Sequence, residues 1–266
     1  MTALPLFYTK VVGANPAQHG ALRLDRSTGY GFAAGTASIP LGLGEFAVVA
    51  CHYPIVFTAG LVPAPVALVG LNDQGNLFVG ADGAWRADAY VPGYVRAYPF
   101  IFVEDSARDA TYVGMEEGAA CLGSERGEPL FEDGKPTPAL REAVQFCATF
   151  RDNHTAAAAF AAALDAAGLL QEEEATVSFT AKVGGPGRGG GGGGGAGGGT
   201  TRVRGFKVIR PDRLDAVADE TFLDWRRRGW LGAIYAQLHS SANWARLIDL
   251  AAERSQKLNG EAVRSM

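Results

Sequence analysis

Two Tyr-Pro pairs set the strongest constraint on what this chain can fold into. Tyr53-Pro54 leads into Ile55-Val56-Phe57, and Tyr98-Pro99 leads into Phe100-Ile101-Phe102. Proline fixes its own φ and pushes the residue before it towards extended backbone, so both pairs predict strand starts. Around them stand four tyrosines, two arginines and a histidine within one stretch from His52 to Glu104. Rings carrying hydroxyls, beside a planar guanidinium that matches a carboxylate, suit a pocket or peptide groove. That chemistry makes His52, Tyr53, Tyr90, Tyr94, Arg96 and Tyr98 the candidate ligand-binding residues.

The rest of the N-terminal half reads as mostly β with short helices. Strands are expected over Pro5 to Val12, Ile55 to Thr58, Pro65 to Leu71 and Asn76 to Val79, the last closing a hairpin across Asn72-Asp73-Gln74-Gly75. Leu43 to Cys51 and Val91 to Ala97 read as short helices. Phe100 to Val103 and Ala110 to Met115 form an expected antiparallel pair. Thr137-Pro138 is a helix start, with threonine capping and proline at the first position, where no N–H is needed. The helix carries Leu140, Val144, Cys147, Phe150, Phe160 and Leu164 on a helical period and stops near Gly168. Thr176 to Val183 and Thr201 to Ile209 are expected strands. A turn of helix over Pro211 to Leu214, a helix capped by Asp219, and a final helix from Leu231 to about Lys257 complete the chain.

Between the last two strands lies a glycine tract from Gly184 to Gly199, interrupted by Pro186, Arg188 and Ala196. It lacks the Gly-Lys-Ser/Thr ending of a phosphate loop, and no helix follows it. It reads as an expanded, flexible hairpin tip with an end-to-end distance of about 20–25 Å.

Charge and spacing narrow the function classes. A chain of 266 residues with a formal net charge of −4 lacks the basic surface that tracks nucleic-acid phosphates. No window approaches the roughly 20 apolar residues of a membrane span, and the N-terminus has no basic, then apolar, signal pattern. Cys51, Cys121 and Cys147, an odd number without CxxC spacing, predict buried free thiols in a reducing compartment. A cytoplasmic location follows as the expectation. His19, His52, His154 and His239 form no ligand cluster in sequence, so local spacing supports neither a metal site nor a cofactor. There is no Gly-x-Ser-x-Gly elbow, and adjacent Cys51 and His52 make no nucleophile dyad on a strand. Glu116-Glu117, Glu132-Asp133 and Glu172-Glu173-Glu174 read as solvated loops and helix ends. Arg96 has an internal alternative to ligand binding, a pair with Asp88 or Glu104.

The blocks Pro5-Leu6-Phe7-Tyr8, Phe32-Ala33-Ala34-Gly35-Thr36, His52-Tyr53-Pro54-Ile55-Val56-Phe57, Tyr94-Val95-Arg96, Tyr98-Pro99-Phe100, Gly127-Glu128-Pro129-Leu130-Phe131 and Arg227-Arg228-Gly229-Trp230-Leu231 run in order along nearly the whole chain. In these residues the sequence resembles the SapC family of bacterial proteins. The glycine tract departs from the family pattern, which has a short turn there. The resemblance implies an association with surface-layer or envelope uptake systems and carries over no catalytic residues.

The expectation is therefore an α+β fold, a mainly antiparallel sheet covered by C-terminal helices. Residues 1–258 form one integrated domain, and 259–266 form a disordered tail. The leading function is a non-catalytic accessory protein that binds a peptide or small acidic ligand, with envelope or surface-layer proteins as partners. The alternatives are an iron-dependent or hydrolytic enzyme using His52, and a structural surface-layer component. Replacing Gly184–Gly199 by Asp-Gly-Gly is expected to leave the urea unfolding midpoint unchanged, because lengthening a loop costs only about 0.6 kcal/mol per doubling. A large drop in the midpoint would show that the tract packs against the fold.

Overall fold

The structure, a computed structural model, describes residues 4–71, 74–105, 110–179 and 199–264. The expected loop at 184–199 and the turn residues Asn72 and Asp73 lie outside them, apart from Gly199. The architecture is α+β, and every paired strand is antiparallel.

Eight strands carry the two main sheets: β1 (Val11–Gly13), β2 (Ser38–Pro40), β3 (Ile55–Thr58), β4 (Pro65–Leu68), β5 (Phe100–Asp105), β6 (Ala110–Glu116), β7 (Leu170–Phe179) and β8 (Gly199–Ile209). The sheet expected as one is split. β7-β8-β3-β4-β2 form a five-stranded sheet, while β1-β6-β5 form a separate three-stranded one. The strands at the two Tyr-Pro pairs thus fall in different sheets. In β3 every residue of Ile55-Val56-Phe57 is buried, as in a central strand covered on both faces.

Besides single turns of helix at Pro16–His19 and Pro211–Leu214, the helices are α1 (Phe46–Val49), α2 (Gly93–Ala97), α3 (Pro138–Ala166), α4 (Asp219–Arg227), α5 (Trp230–Ser240) and α6 (Asn243–Arg264). Thr137 caps α3, with its Oγ1 accepting from Leu140 N. At 29 residues α3 is about 44 Å long, and it serves two interiors. Phe160, Ala161 and Leu164 belong to the core between the five-stranded sheet and the C-terminal helices, with Phe57, Trp230, Ile234 and Leu247. Leu140, Ala143 and Cys147 belong to a second core against the three-stranded sheet, with Phe100, Met115 and Leu130.

Several local expectations give way to tertiary packing. Pro5 to Tyr8 is a turn rather than strand, closed by Tyr8 N to Pro5 O at 3.1 Å, and pairing starts only at Val11. β4 ends at Leu68 because the N–H groups of Val69 and Gly70 both go to Ala37 O. Asn76 to Val79 forms no ladder beyond one bridge from Val79 to Trp85. Buried Asn76 instead takes Phe78 N on its Oδ1 and donates Nδ2 to Ala33 O, local bonding that competes with a strand. Glu172 to Glu174 stand on strand β7, not in a loop or helix end. Asp219 is the first residue of α4, capped by Ala218. Of the three free thiols Cys147 is buried, Cys121 is partly covered and Cys51 is exposed, contrary to the expectation that all are buried.

The expected single final helix is two helices, broken at Ser241 and Ala242. The break follows from docking on β3. β8 pairs with β3 only at Thr58 and Phe57. At Ile55 the N–H is taken by Ser240 Oγ at 2.9 Å and the carbonyl by Gln237 Nε2 at 3.0 Å. Asn243 Nδ2 then reaches Ala50 O at 2.7 Å. Ser240→Ala is expected to leave a buried N–H without a partner and to cost about 1–3 kcal/mol in urea unfolding. A cost near zero would mean that another acceptor replaces the hydroxyl.

Candidate functional site

The six residues singled out in the sequence do not form one pocket. Tyr53 is fully buried; its hydroxyl donates to Tyr90 O at 2.5 Å and accepts from Trp85 Nε1 at 3.0 Å. His52 is half-buried, and its Nδ1 has no partner among the described residues. Neither residue lines the cavities around α2. Tyr90, Tyr94, Arg96 and Tyr98 are divided among those cavities: Arg96 and Tyr98 line one, Tyr90 and Arg96 a second, and Tyr94 a third.

Pro92, extended at ψ 149°, starts α2 by turning the chain. Five helical residues follow; Val95 and Ala97 are buried on different sides of this turn, and Arg96 between them is exposed. Tyr98 is extended again, at ψ 136°, and the Tyr98–Pro99 peptide is cis. Its ring stacks on Phe32, with centroids 3.9 Å apart. Tyr94 points to the opposite side of α2, where its hydroxyl donates to Leu6 O at 2.8 Å.

Arg96 is held by a chain of contacts that begins at a buried carboxylate. Glu45, 8% exposed, accepts Gly42 N on Oε1 at 2.9 Å and Gly93 N on Oε2 at 2.8 Å. The same Oε2 takes the Tyr90 hydroxyl at 3.3 Å, and the Tyr90 oxygen accepts from Arg96 Nη2 at 2.6 Å. Gly93 permits this approach, since a Cβ there would sit 2.9 Å from Phe150 Cδ2 and 3.3 Å from Glu45 Oε2. The guanidinium lies 5.2 Å from the Tyr90 ring centre and 4.9 Å from that of Phe146. Tyr90, not Asp88, is its hydrogen-bond partner; Asp88 pairs with Arg86 and Arg246. Glu45 is absent from the candidate residues that the sequence supplies. Its place in the first turn of a short helix was the only local signal, and its partner Gly93 lies 48 residues away.

Arg96 overlooks a cleft of about 370 Å³ between α2 and the segment Asp25 to Phe32. Tyr30, Phe32, Tyr98 and Phe146 supply rings, and Val95, Ala97 and Phe100 form apolar lining. Arg26 lies at the same cleft with Asp25 and Glu142, so both signs of charge are present. Asp25 is held below the ordinary carboxylate range by the Ser27 hydroxyl and backbone N–H, and it stays ionised. Burial pushes the Cys121 thiol up to about 11 and the Tyr98 phenol up to about 12. Tyr90 is raised by burial and by the Glu45 charge. Near neutral pH the Tyr98 phenol and the Cys121 thiol of the cleft are therefore protonated.

A family model named SapC matches residues 15–247. The chain belongs to the SapC family. The match covers most of both cores, the Arg96 cleft and the glycine tract. No curated protein and no solved structure matches the chain. Among the described residues of this SapC protein, no three His, Cys, Asp or Glu side chains converge as a metal-ligand set, and no helix is long and apolar enough to cross a membrane.

Glu45→Gln is expected to lower stability by about 1–3 kcal/mol, because the amide keeps one acceptor oxygen and turns its NH2 towards the other buried N–H. Tyr90→Phe keeps those backbone bonds and is expected to cost less. The two unfolding curves check the order; a larger loss for Tyr90→Phe would place the anchor elsewhere.

Proposed function

We propose that this SapC-family protein is a non-catalytic binding protein that takes a short peptide or small acidic molecule in the cleft of Arg26, Arg96 and Tyr98. The observation that carries the reading is the anchored guanidinium. Arg96 is fixed from behind by Tyr90 and Glu45, yet its side chain remains exposed at an aromatic-walled opening. Fixing a long side chain before the ligand arrives removes part of the entropy cost of binding. Arg26 adds a second cation, and the rings give an apolar or aromatic side chain a surface to lie on. Asp25 and Glu142 favour a peptide over a purely anionic ligand, since they offer partners for an ammonium group.

The protonated Tyr98 phenol and Cys121 thiol favour binding over covalent chemistry at this place. The iron-dependent or hydrolytic alternative gains no support from His52, which is not among the residues that line the cleft. In the accessory role that the family resemblance implies, an acidic segment of an envelope or surface-layer protein would be the ligand.

Calorimetric titration with tetrapeptides bearing a free C-terminal carboxylate tests this reading. Binding is expected to weaken about fivefold to tenfold in Arg96→Gln, as for loss of one partly exposed charge-assisted bond. It is also expected to weaken with salt. Equal affinity of the variant, or equal affinity for amidated peptides, would sink the proposal.

A further inference from the structure

On the other side of α2 lies a second cavity, of about 390 Å³, that the charged-cleft reading does not use. One wall is a face of α3, where Cys147, Phe150, Arg151 and His154 recur at helical spacing. Phe100 and Phe102 of β5 and the ring of Tyr94 line other sides, and Pro5 and Leu6 close over it. Protein interiors leave few voids larger than a water molecule, whereas small-molecule sites run from about 300 to 1,000 Å³. This volume falls in the second class.

Several polar groups along the wall already have protein partners. Tyr8 Oη donates to Phe100 O at 2.8 Å, Tyr94 Oη to Leu6 O at 2.8 Å, and Cys147 Sγ to Phe100 O at 3.5 Å. His154 Nδ1 lies 3.4 Å from Leu41 O. The lining that remains is largely hydrocarbon and ring. The one lining residue with a fixed charge is Arg151, whose guanidinium lies 4.7 Å from the Phe102 ring centre and pairs with Asp152 at 3.2 Å. Both members of that pair are exposed, and such pairs are weak enough for a carboxylate to share the cation.

The cover is built into the fold. Glu116 accepts Thr9 N at 2.9 Å and Lys10 N at 3.0 Å, together with the Thr9 hydroxyl. Phe7 holds a left-handed backbone at φ 76°, which a bulky side chain adopts only when its surroundings compel it. Its ring lies against Phe32 and Tyr94.

We propose that this cavity is a second ligand site, for an amphipathic carboxylate: an acyl chain or aryl group fills the interior, and the carboxylate meets Arg151 at the mouth. The apolar wall sets the body of the ligand, and the single cation sets the sign of its head.

The test is calorimetric titration of the full chain with sodium decanoate, 1-decanol and decyltrimethylammonium, each kept below its micelle or solubility limit. Decanoate is expected to bind at one site, more tightly than the alcohol, with the cationic amphiphile weakest. Arg151→Gln is expected to lower decanoate affinity about threefold to tenfold and to leave decanol unchanged. Cys147→Met, which fills the cavity with a flexible side chain, is expected to weaken both ligands at least about tenfold. These variants also separate this site from the Arg26–Arg96 cleft. No saturable binding of decanoate, equal binding of the anionic and cationic amphiphiles, or decanoate affinity unchanged in Arg151→Gln would each overturn the inference. Should Cys147→Met fail to fold, the Arg151→Gln comparison alone decides.

Discussion

A single helix, α3, is the member to which both interiors of this protein are attached. Its N-terminal turns bury Leu140, Ala143 and Cys147 against the three-stranded sheet, and its C-terminal turns bury Phe160, Ala161 and Leu164 against the five-stranded one. Apolar burial of this kind is the largest favourable contribution to folding, so neither core is independent of the helix between them. The middle turns, around Phe150, Arg151 and His154, belong to neither core. They run along the seam where two sheets with separate hydrogen-bonding networks meet.

This seam is filled by short, irregular pieces. α2 is the wedge. Its Val95 packs with the first core and its Ala97 with the second, while Glu45 ties its first N–H to the segment before α1. Space is left on both sides of the wedge. Ala97 and Phe100 line the cavities on both sides of α2, so an apolar partition separates a cleft of mixed charge from a largely apolar hollow. Buried Glu45 matters to the first of these at a distance. It satisfies two backbone donors and, through the Tyr90 hydroxyl, holds the guanidinium that faces solvent. Removing its charge would disturb both the wedge and the presentation of Arg96.

Much of the secondary structure was legible in the sequence because its causes are local. Proline after tyrosine marked the start of β3, and Thr137-Pro138 marked the start of α3. Pro92 marked α2, and the glycine at 168 marked the end of the long helix. The antiparallel pairs β5–β6 and β7–β8 follow from alternating or apolar runs close together in the chain. Where a residue's partner was distant, local signals misled. Asn76 looked like part of a strand until its amide found Ala33, and Ser240 looked like mid-helix until its hydroxyl found Ile55, 185 residues away. The site was read in the same mixed way. The cluster Tyr90 to Tyr98 was visible because a short helix keeps its members adjacent. Glu45, Arg26 and the cavity beneath Leu6 were not, because each depends on a contact between remote segments.

The amino-acid order alone therefore determined the family, the α+β class, the acidic net charge and the grouping of aromatic and cationic side chains on one short helix. The tertiary structure decided that the sheet is split in two, that Tyr53 is an interior strut, and that Arg96 and Tyr94 face opposite spaces. The physical reason is one of range. Backbone preference and hydrophobic period act over a few residues, whereas buried hydrogen bonds and the packing of two cores on one helix join residues that nothing in their neighbourhood connects.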